Sequence, residues 1–476
     1  MSLIIRRSLY RNRLFMLGSL ISAFLAFPGG ASGQTLVNPY AGVDWGTINQ
    51  YKANLHTHSL ESDGALMPGE AIDEYANRDY DILALTDHRK RTYPWEDWGR
   101  DPIALGMLDI PGCEFSNHNH ICGFFIDYTT NPHSEVESLT EIAAQGGLAH
   151  LNHPGNYWNP NSDGSVPDET IQKYMGWFTQ FPPDVLMGME VINKTNLHPE
   201  DELLWDALLG VMMPERPVWG FANDDMHGPW LGPVRLVAVS WETFIAASLD
   251  DTSIRNAMLN GSFYFSTCAT RLDPALWDVN QVPKITEILH DEASGTLTLS
   301  AVSGGAPLPE SDYHWISMGE VVQVGRVLDY KNTAGIGNYV RAELEGTGGT
   351  TFTNPFGIIR DDGRLVVYIG PADALYAGAK WKVEGMQTWH QHGDTVNLDP
   401  GTYTILFARA DSYQTPDPIT VTVTANKTTL VTSAEGAAYA YDPEMTLPGA
   451  GLATLALLGV FLMITGSALV RRARTA

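Results

Sequence analysis

Histidine and acidic side chains recur at the ends of short apolar runs in the first half of the 476-residue chain. His56-Thr57-His58 closes the strand-like run Tyr51–Leu55. Residues two apart on a strand point to the same side, so both imidazoles can face one metal ion. Asp63 follows in a Ser-Asp-Gly turn, which can present its carboxylate to the same site. Because histidine pairs of this spacing also arise by chance, the rest of the pattern decides the interpretation.

The same arrangement repeats along the chain. Each further candidate ligand closes a strand-like run or follows closely on one, and these candidates are His88, Glu114, His120, His153, Asp225 and His227. Active sites of α/β barrels form at the carboxyl ends of the strands, because the strand–helix loops gather there. Nine His, Asp and Glu side chains on one rim would make a mixed nitrogen and oxygen site. Such a donor set suits Zn, Mn or Fe rather than Ca.

The elements that must position these residues follow an α/β pattern over residues 50–275. Strand-like runs such as Asp81–Thr86 and Gly188–Ile192 alternate with helical stretches such as Pro68–Arg78 and Glu135–Gln145. Repeating strand–helix order predicts an α/β domain with a parallel sheet. From about residue 283, short β-rich runs separated by Gly, Pro and Asp predict two small all-β sandwich-like modules, at 283–360 and 365–435.

Composition and charge exclude several classes of protein. With 44% hydrophobic and 18% charged residues, the chain is neither largely disordered nor a polytopic membrane protein. Acidic residues outnumber basic ones by 55 to 29. Seven of the basic residues lie in the two terminal segments, which leaves the body with 22 basic residues and a net charge of −33. A body this negative is repelled by nucleic acid, so no nucleic-acid partner is expected.

The two ends predict a location outside the cytoplasm. Residues 1–33 combine four arginines, an apolar stretch and small residues at 31–33, which is typical of a secretory signal, with a retained N-terminal anchor as the alternative. Residues 447–470 form an uncharged run long enough to span a membrane, and the arginines behind it favour a cytoplasmic C-terminus. The run also resembles a bacterial sorting segment, although Ala450 stands where Thr is usual. Residues 436–446 would then be a short stalk.

The ordered series of motifs resembles the PHP (polymerase and histidinol phosphatase) superfamily. The motifs, in chain order, are NLHTHSLESDG, LALTDH, PGCEFSNHNHICGFF, LNHPG and NDDMH. The resemblance implies a distorted (β/α)7 barrel that holds two or three divalent metal ions at its carboxyl rim. The amidohydrolase barrel also opens with an HxH motif, but it usually adds a bridging lysine and ends on a lone Asp. The Ser-Asp-Gly turn, the Thr-Asp-His strand end and the final Asp-x-His favour PHP.

The resemblance also implies how the ligands divide. One metal would be held by His56, His58, Glu114 and Asp225. Glu114 would bridge to a second metal completed by His120 and His153, and a third would be held by Asp63, His88 and His227. Asp225, His227 and Arg89 are the candidate catalytic residues. His150 and Asp87 are expected to support ligands without binding metal, and no metal role is expected for His118, His133, His198, His390 and His392.

The chemistry follows from the charge of such a centre. Divalent cations lower the pKa of bound water towards neutrality, supply hydroxide and neutralise charge on a phosphoester. Arg89, Lys90 and Arg91 follow His88 directly, as a cationic clamp over the phosphate or as a solvated loop. The sequence therefore predicts a membrane-anchored, extracytoplasmic metal-dependent phosphoesterase acting on a small-molecule ester.

Two other functions stay open at this point. Residues 190–193 and 339–343 resemble the CehA/McbA-type metallohydrolases, which implies a carboxyl or carbamate ester hydrolase as an alternative. The third possibility is a surface protein whose β modules bind a cell-surface ligand, with the barrel secondary.

Overall fold

The computed structural model describes residues 36–232 and 234–445. The predicted signal at 1–33 and the predicted anchor at 447–470 lie outside these residues. Within them, no helix combines the length and apolar character of a membrane span.

The chain divides into two compact units, one ending at Ile359 and the other beginning at Arg360. The strands of the first unit are β1 (Leu36–Val37), β2 (Asn49–Asn54), β3 (Ile82–Leu83), β4 (Leu108–Asp109), β5 (Gly112–Phe115), β6 (Ile121–Phe124), β7 (Leu148–Leu151), β8 (Leu186–Asn193), β9 (Trp219–Asn223), β10 (Trp230–Leu231), β11 (Val234–Arg235), β12 (Ser240–Ala246), β13 (Phe263–Thr267), β14 (Lys284–Asp291), β15 (Thr296–Ser303), β16 (Ala306–Pro307), β17 (Tyr313–Ser317), β18 (Glu320–Val324), β19 (Val327–Asp329), β20 (Tyr339–Gly346), β21 (Gly349–Thr353) and β22 (Phe356–Ile358). Its α-helices are α1 (Pro68–Ala76), α2 (Pro102–Leu105), α3 (Glu135–Ala144), α4 (Asp168–Gln180), α5 (Asp201–Met212) and α6 (Asp251–Asn260).

The strands that carry the candidate ligands belong to two sheets. β2, β3 and β4 run parallel inside an eleven-stranded sheet, and β5 to β9 form a five-stranded sheet in chain order. Every residue of β5 to β9 is buried. Burial on both faces explains why these strands are short continuous apolar runs rather than alternating ones. The α/β class predicted for this region is confirmed.

Two isolated parallel bridges join these sheets at the strand ends. One links Thr57 to Met226 and the other links His88 to Glu114. The His58 N–H donates to the Met226 carbonyl at 2.9 Å, and the Arg89 N–H donates to the Glu114 carbonyl at 2.8 Å. The bridges bring the ends of β2, β3, β5 and β9 to one rim. The strands that carry the candidate ligands thus form two ladders connected at the rim, and a distorted barrel stays a prediction.

Several strand pairings differ from the predicted parallel sheet. β12 pairs antiparallel with both β2 and β13, and β6 pairs antiparallel with both β5 and β7. Only residues 116–120 connect β5 to β6, and a connection this short allows a hairpin but no crossover helix. The sequence analysis did not recognise β6, because its four residues follow a polar turn.

The predicted domain break between residues 275 and 283 lies inside the first unit. β13 pairs antiparallel with β21 over four residue pairs, from Tyr264–Thr353 to Thr267–Thr350. The eleven-stranded sheet therefore contains β2 to β4 together with β17, β18 and β20 to β22. The module predicted at 283–360 is not a separate body, because β21 covers an edge that β13 would otherwise leave unpaired.

A buried ion-pair network fastens α5 to this shared sheet. Arg341 on β20 is 1% exposed, and its guanidinium donates to both carboxylate oxygens of Asp206, at 2.8 and 2.7 Å. The same guanidinium lies 4.9 Å from the ring centre of Trp205. Tyr339 donates its hydroxyl to Asp206 at 2.6 Å. The counter-charge of Asp206 on α5 thus comes from Arg341 on β20, across the interface between the helix and the sheet.

Over its described residues, 360–445, the second unit consists of β-strands with one short α-helix, α7 (Ala372–Tyr376), and one 3-10 turn at Ser433–Glu435. Its strands are β23 (Gly363–Val367), β24 (Trp381–Val383), β25 (Thr395–Leu398), β26 (Gly401–Phe407), β27 (Tyr413–Gln414), β28 (Ile419–Val423), β29 (Thr428–Val431) and β30 (Ala440–Tyr441). The prediction of a stalk at 436–446 is wrong for residues 436–445, because these residues belong to the second unit. Ala437 and Tyr439 are buried in the core of this unit, and β30 pairs with β27. Small residues and tyrosines gave no sequence signal for this pairing.

We predict that Arg341→Met lowers the free energy of unfolding by about 3–5 kcal/mol, because Asp206 would stay buried without its counter-charge. Urea unfolding measures the change. The matched control is Arg326→Met, whose partner Glu310 is exposed, and this change should cost less than about 1 kcal/mol. Equal effects of the two substitutions would contradict the role of the buried network.

Candidate metal centre

The rim between the two sheets gathers all nine predicted ligands. His56 and His58 follow β2, His88 follows β3, Glu114 lies in β5, His153 follows β7, and Asp225 and His227 follow β9. His120 precedes β6 rather than following a strand, and it reaches the same rim because β6 runs antiparallel to β5. Four groups of metal-capable side chains lie in the described chain, and together they contain the nine predicted ligands and no other residue.

Glu114 lies at the middle of this cluster and is fully buried. Its two oxygens face different histidines. Nitrogens of three histidines surround Oε1, namely His120 Nδ1 at 3.0 Å, His56 Nε2 at 3.2 Å and His153 Nε2 at 3.5 Å. Two others face Oε2, namely His88 Nδ1 at 2.7 Å and His58 Nε2 at 3.5 Å. A carboxylate with separate ligand sets on its two oxygens is suited to bridging two cations.

The oxygens of Asp225 are divided in the same manner. Oδ1 lies 3.2 Å from His58 Nε2, 3.4 Å from His56 Nε2 and 3.3 Å from His227 Nδ1. Oδ2 accepts instead from Asn193 Nδ2 at 3.3 Å and lies 3.1 Å from the Lys194 ammonium. One oxygen therefore faces the histidines, and the other is held by neighbouring donors.

Asp224, the preceding residue, fixes the backbone that carries Asp225. Its carboxylate accepts the N–H groups of residues 238–240 at 2.6 to 2.9 Å and the Tyr75 hydroxyl at 3.1 Å. Asp225 itself has a φ of 43°, in the left-handed region that non-glycine residues seldom adopt. The anchored neighbour holds this unfavourable backbone in place.

A third group is more open to solvent. Asp63 lies 3.3 Å from His227 Nε2, 3.4 Å from His88 Nε2 and 3.7 Å from His58 Nδ1, and its side chain is 54% exposed. The turn that carries it depends on Gly64, because a Cβ there would lie 2.5 Å from the His58 carbonyl oxygen. The predicted Ser-Asp-Gly turn thus places its carboxylate at the outer edge of the cluster.

The side chains present fit divalent cations. The Nε2 atoms of His56 and His58 lie 3.1 Å apart, close enough to share one proton or to bind one cation. Glu114 Oε2 and Asp225 Oδ1 are buried and face histidine nitrogens at 2.7 to 3.5 Å. Buried carboxylates need positive charge close by, and a coordinated cation would supply it to both oxygens. The mixed imidazole and carboxylate set suits Zn, Mn or Fe.

The grouping agrees only in part with the predicted division of ligands. His58, Asp63, His88 and His227 lie together, as do His56, His58 and Asp225. The remaining groups join Glu114 to His56 and His153, and to His88 and His120. The number of metals and the assignment of each ligand stay predictions.

Glu190 is a supporting residue whose role the sequence analysis missed. It is fully buried on β8 and accepts from His56 Nδ1 at 2.8 Å and from the His153 N–H at 2.9 Å. Asn193 and Asn223 donate to it at 2.9 and 3.0 Å. Burial opposes its ionisation, but His56 holds the pKa of Glu190 below its usual range. The one feature of the sequence that could have indicated this role is the carboxylate of Glu190 inside a run of apolar residues.

Asp87 braces the turn before Asp63. Its carboxylate accepts from the Ser59 N–H at 2.8 Å and from the hydroxyls of Ser59, Ser62 and Thr92 at 2.6 to 2.7 Å. It belongs to none of the metal-capable groups.

The three residues predicted to form a cationic clamp over the phosphate contact side chains outside the metal cluster. Lys90 is paired with Glu61 and Arg91 with Asp127. Arg89 donates to the Ser116 hydroxyl at 2.9 Å. The cation that contacts the cluster is Lys194, which the sequence analysis did not single out because an isolated lysine after a strand has no distinctive pattern.

His150 lies behind the cluster between the rings of Phe124 and Phe221, at centroid distances of 5.2 and 4.7 Å. Burial lowers its pKa from 6.5 to about 4. Neither ring nitrogen has a hydrogen-bond partner in the described chain, so the predicted supporting contact to a ligand is not formed.

Comparisons with known proteins add little to this geometry. No model of a known family matches the chain, and no curated protein matches it. A two-domain protein from Bacteroides vulgatus that contains a predicted PHP-like metal-dependent phosphoesterase is 18% identical, with 66% of this chain and 96% of that chain covered and a TM-score of 0.36. An amidohydrolase from Chromobacterium violaceum is 20% identical, with 37% and 88% covered and a TM-score of 0.28. TM-scores this low do not establish a shared fold, so the site is interpreted from its own side chains.

We predict that Glu114→Ala loses more bound metal than His88→Ala, because Glu114 lies within 3.5 Å of nitrogens from five histidines, whereas His88 faces only two carboxylates in the described chain, those of Glu114 and Asp63. Two cations that lose a shared carboxylate also repel each other at short range. Metal content of the purified variants measures the difference. Glu320→Ala, on the exposed side of β18, is the control and should retain the metal of the unaltered protein. Equal metal content in the Glu114 and His88 variants would count against the bridge.

A second prediction concerns acid stability. In the folded protein His150 stays neutral down to about pH 4, whereas in the unfolded chain it takes up a proton near pH 6.5. Its contribution therefore favours unfolding increasingly as the pH falls through 6.5. Between pH 7 and 5.5 this costs about 1 kcal/mol, which His150→Phe should remove. Urea unfolding of both proteins in the presence of a chelator tests this, and identical pH dependence would refute it.

Proposed function

We propose that the chain is a metal-dependent hydrolase of the PHP superfamily whose substrates are phosphoesters. The observation that carries the proposal is the convergence of nine His, Asp and Glu side chains around the buried carboxylates of Glu114 and Asp225. The order of the sequence motifs supports the same superfamily. A location outside the cytoplasm stays a prediction from the two chain ends.

Bound divalent cations would supply a water-derived nucleophile near neutral pH and neutralise charge on the ester. Glu114 and Asp225 provide the negative charge that retains these cations. Glu190 orients His56 by accepting from Nδ1, which directs Nε2 towards the cluster, as outer carboxylates do for metal-binding histidines. The chain itself thus contributes the side chains that would hold the cations, and their hydrogen bonds to supporting residues position them before substrate binds.

Exposure indicates the side from which substrate reaches the centre. Glu114 and His56 are fully buried, whereas the side chains of His88, His227 and Asp63 are 17%, 32% and 54% exposed. The ester would therefore approach along this outer edge. His227 and Asp63 are the ligands placed to contact it.

The carboxyl or carbamate ester alternative uses the same donors, since a nucleophile held there can also attack a carbonyl carbon. A surface protein with an inactive barrel would not need the complete set of donors.

The test compares p-nitrophenyl phosphate with p-nitrophenyl acetate as substrates of the purified, metal-loaded protein. We expect turnover of the phosphate, its loss on chelation, and a decrease of about a hundredfold in Asp225→Asn, which removes a carboxylate from the cluster. The control is Asp127→Asn, which changes the exposed carboxylate paired with Arg91, and this variant should retain activity.

Turnover of the acetate alone would favour the carboxyl ester alternative. A protein that binds no metal and hydrolyses neither substrate would refute the hydrolase.

A further inference from the structure

We propose that Lys194 binds the anionic group of the substrate, so that the centre selects esters that carry a negative charge. The inference rests on the proposed function and specifies its substrate class. It also transfers to Lys194 the electrostatic role that the sequence suggested for Arg89, Lys90 and Arg91.

The backbone around Lys194 is held on both sides. Lys194 directly follows β8 in a left-handed conformation, with a φ of 51°. Its N–H donates to the Asn223 carbonyl at 3.0 Å, and its own carbonyl accepts from the Ser240 hydroxyl at 3.3 Å. These bonds tie the turn to β9 and β12. The side chain therefore leaves the rim from a fixed point.

The ammonium lies against the metal cluster without occupying it. Lys194 Nζ is 3.1 Å from Asp225 Oδ2, whereas three histidines face Oδ1 of the same carboxylate. The Lys194 side chain is 35% exposed and that of Asp225 is 4% exposed. The positive charge thus lies where the buried cluster meets solvent, and Lys194 shares the Asp225 carboxylate with the partly exposed His227.

The carboxylate that Lys194 contacts is less exclusively its own than the carboxylates paired with Lys90 and Arg91, whereas Arg89 donates to a neutral hydroxyl. Lys90 and Arg91 each have an exposed or half-buried carboxylate of their own. Asp225 is instead shared between Lys194 and four histidines, one of which, His153, lies 3.9 Å from the oxygen that Lys194 contacts, and it would also serve a bound cation. A substrate oxyanion could then accept from the ammonium, which has three donors.

The overall charge makes such a cation necessary. With a net charge of −33, the body of the protein repels anionic substrates at long range. A local cluster of positive charge at the rim must offset this repulsion. Lys194 adds to the charge of the metals at that position.

The turn that contains Lys194 also carries a buried side-chain amide without hydrogen-bond partners in the described chain. Asn196 is 6% exposed, and neither atom of its side-chain amide has a partner in the described chain. Its N–H donates to the Asn193 carbonyl at 2.8 Å, which closes the turn around Lys194. Buried amides are normally paired, so a ligand at this turn would explain the exception.

The experiment uses the metal-loaded protein and the variants Lys194→Met and Lys194→Arg, with Lys284→Met as the control for loss of an exposed lysine. Calorimetry measures the binding of inorganic phosphate, which needs no turnover. We expect Lys194→Met to weaken phosphate binding and to raise the KM for p-nitrophenyl phosphate about tenfold, because a charge-assisted hydrogen bond is lost. Lys194→Arg should recover part of both, and Lys284→Met should change each by less than about twofold.

Two further readouts distinguish substrate binding from a structural role. Metal content should be unchanged in Lys194→Met, and any turnover of neutral p-nitrophenyl acetate should be unaffected. Loss of metal, equal losses on both esters, or unchanged phosphate binding would each overturn the proposal. If the unaltered protein binds metal but hydrolyses neither ester, the proposed function fails, and phosphate binding alone still decides the role of Lys194.

Discussion

The structure of the rim depends on one buried carboxylate, that of Glu114. A carboxylate withdrawn from water needs several partners, and Glu114 lies within 3.5 Å of nitrogens from five histidines. The strand of Glu114, β5, is therefore constrained on both sides. On one side it forms the isolated bridge to His88, and on the other it pairs with β6 in a hairpin that places His120 beside Glu114. The two sheets meet where these partners converge, so the requirements of a single charged group account for the place at which the ladders are joined.

Charge balance explains why this cluster is a cation site. Burial opposes ionisation of Glu114 and Asp225, but His56 and other neighbouring histidines hold the pKa of each carboxyl well below its usual range. Burial also opposes protonation of His56, yet Asp225, Glu190 and Glu114 raise its pKa well above 6.5. Without metal, a proton on His56 therefore supplies part of the positive charge that the carboxylates require. Bound divalent cations would replace that proton and would be held by the same side chains.

The sequence predicted the ligands better than it predicted their surroundings. His56, His58, Asp63 and Asp225 could be found because strand periodicity and a short turn fix local direction. Glu190 and Lys194 could not, because their contacts join residues more than thirty positions apart in the chain. The same limit explains the errors in the fold. The antiparallel β6 depends on a five-residue connection, and the wrong domain break at 275–283 depends on pairing between β13 and β21, whose edges have no sequence signature.

That pairing changes how the β-rich half of the first unit relates to the centre. β2, which leads to His56 and His58, pairs with β12, and β12 pairs with β13, which in turn pairs with β21. A continuous ladder therefore runs from residue 353 to the strand that presents the first two ligands. Arg341 adds a second connection, because its ion pair with Asp206 fixes α5, and α5 follows the turn that holds Lys194. The β-rich strands are thus part of the framework that sets the positions of donors on the rim.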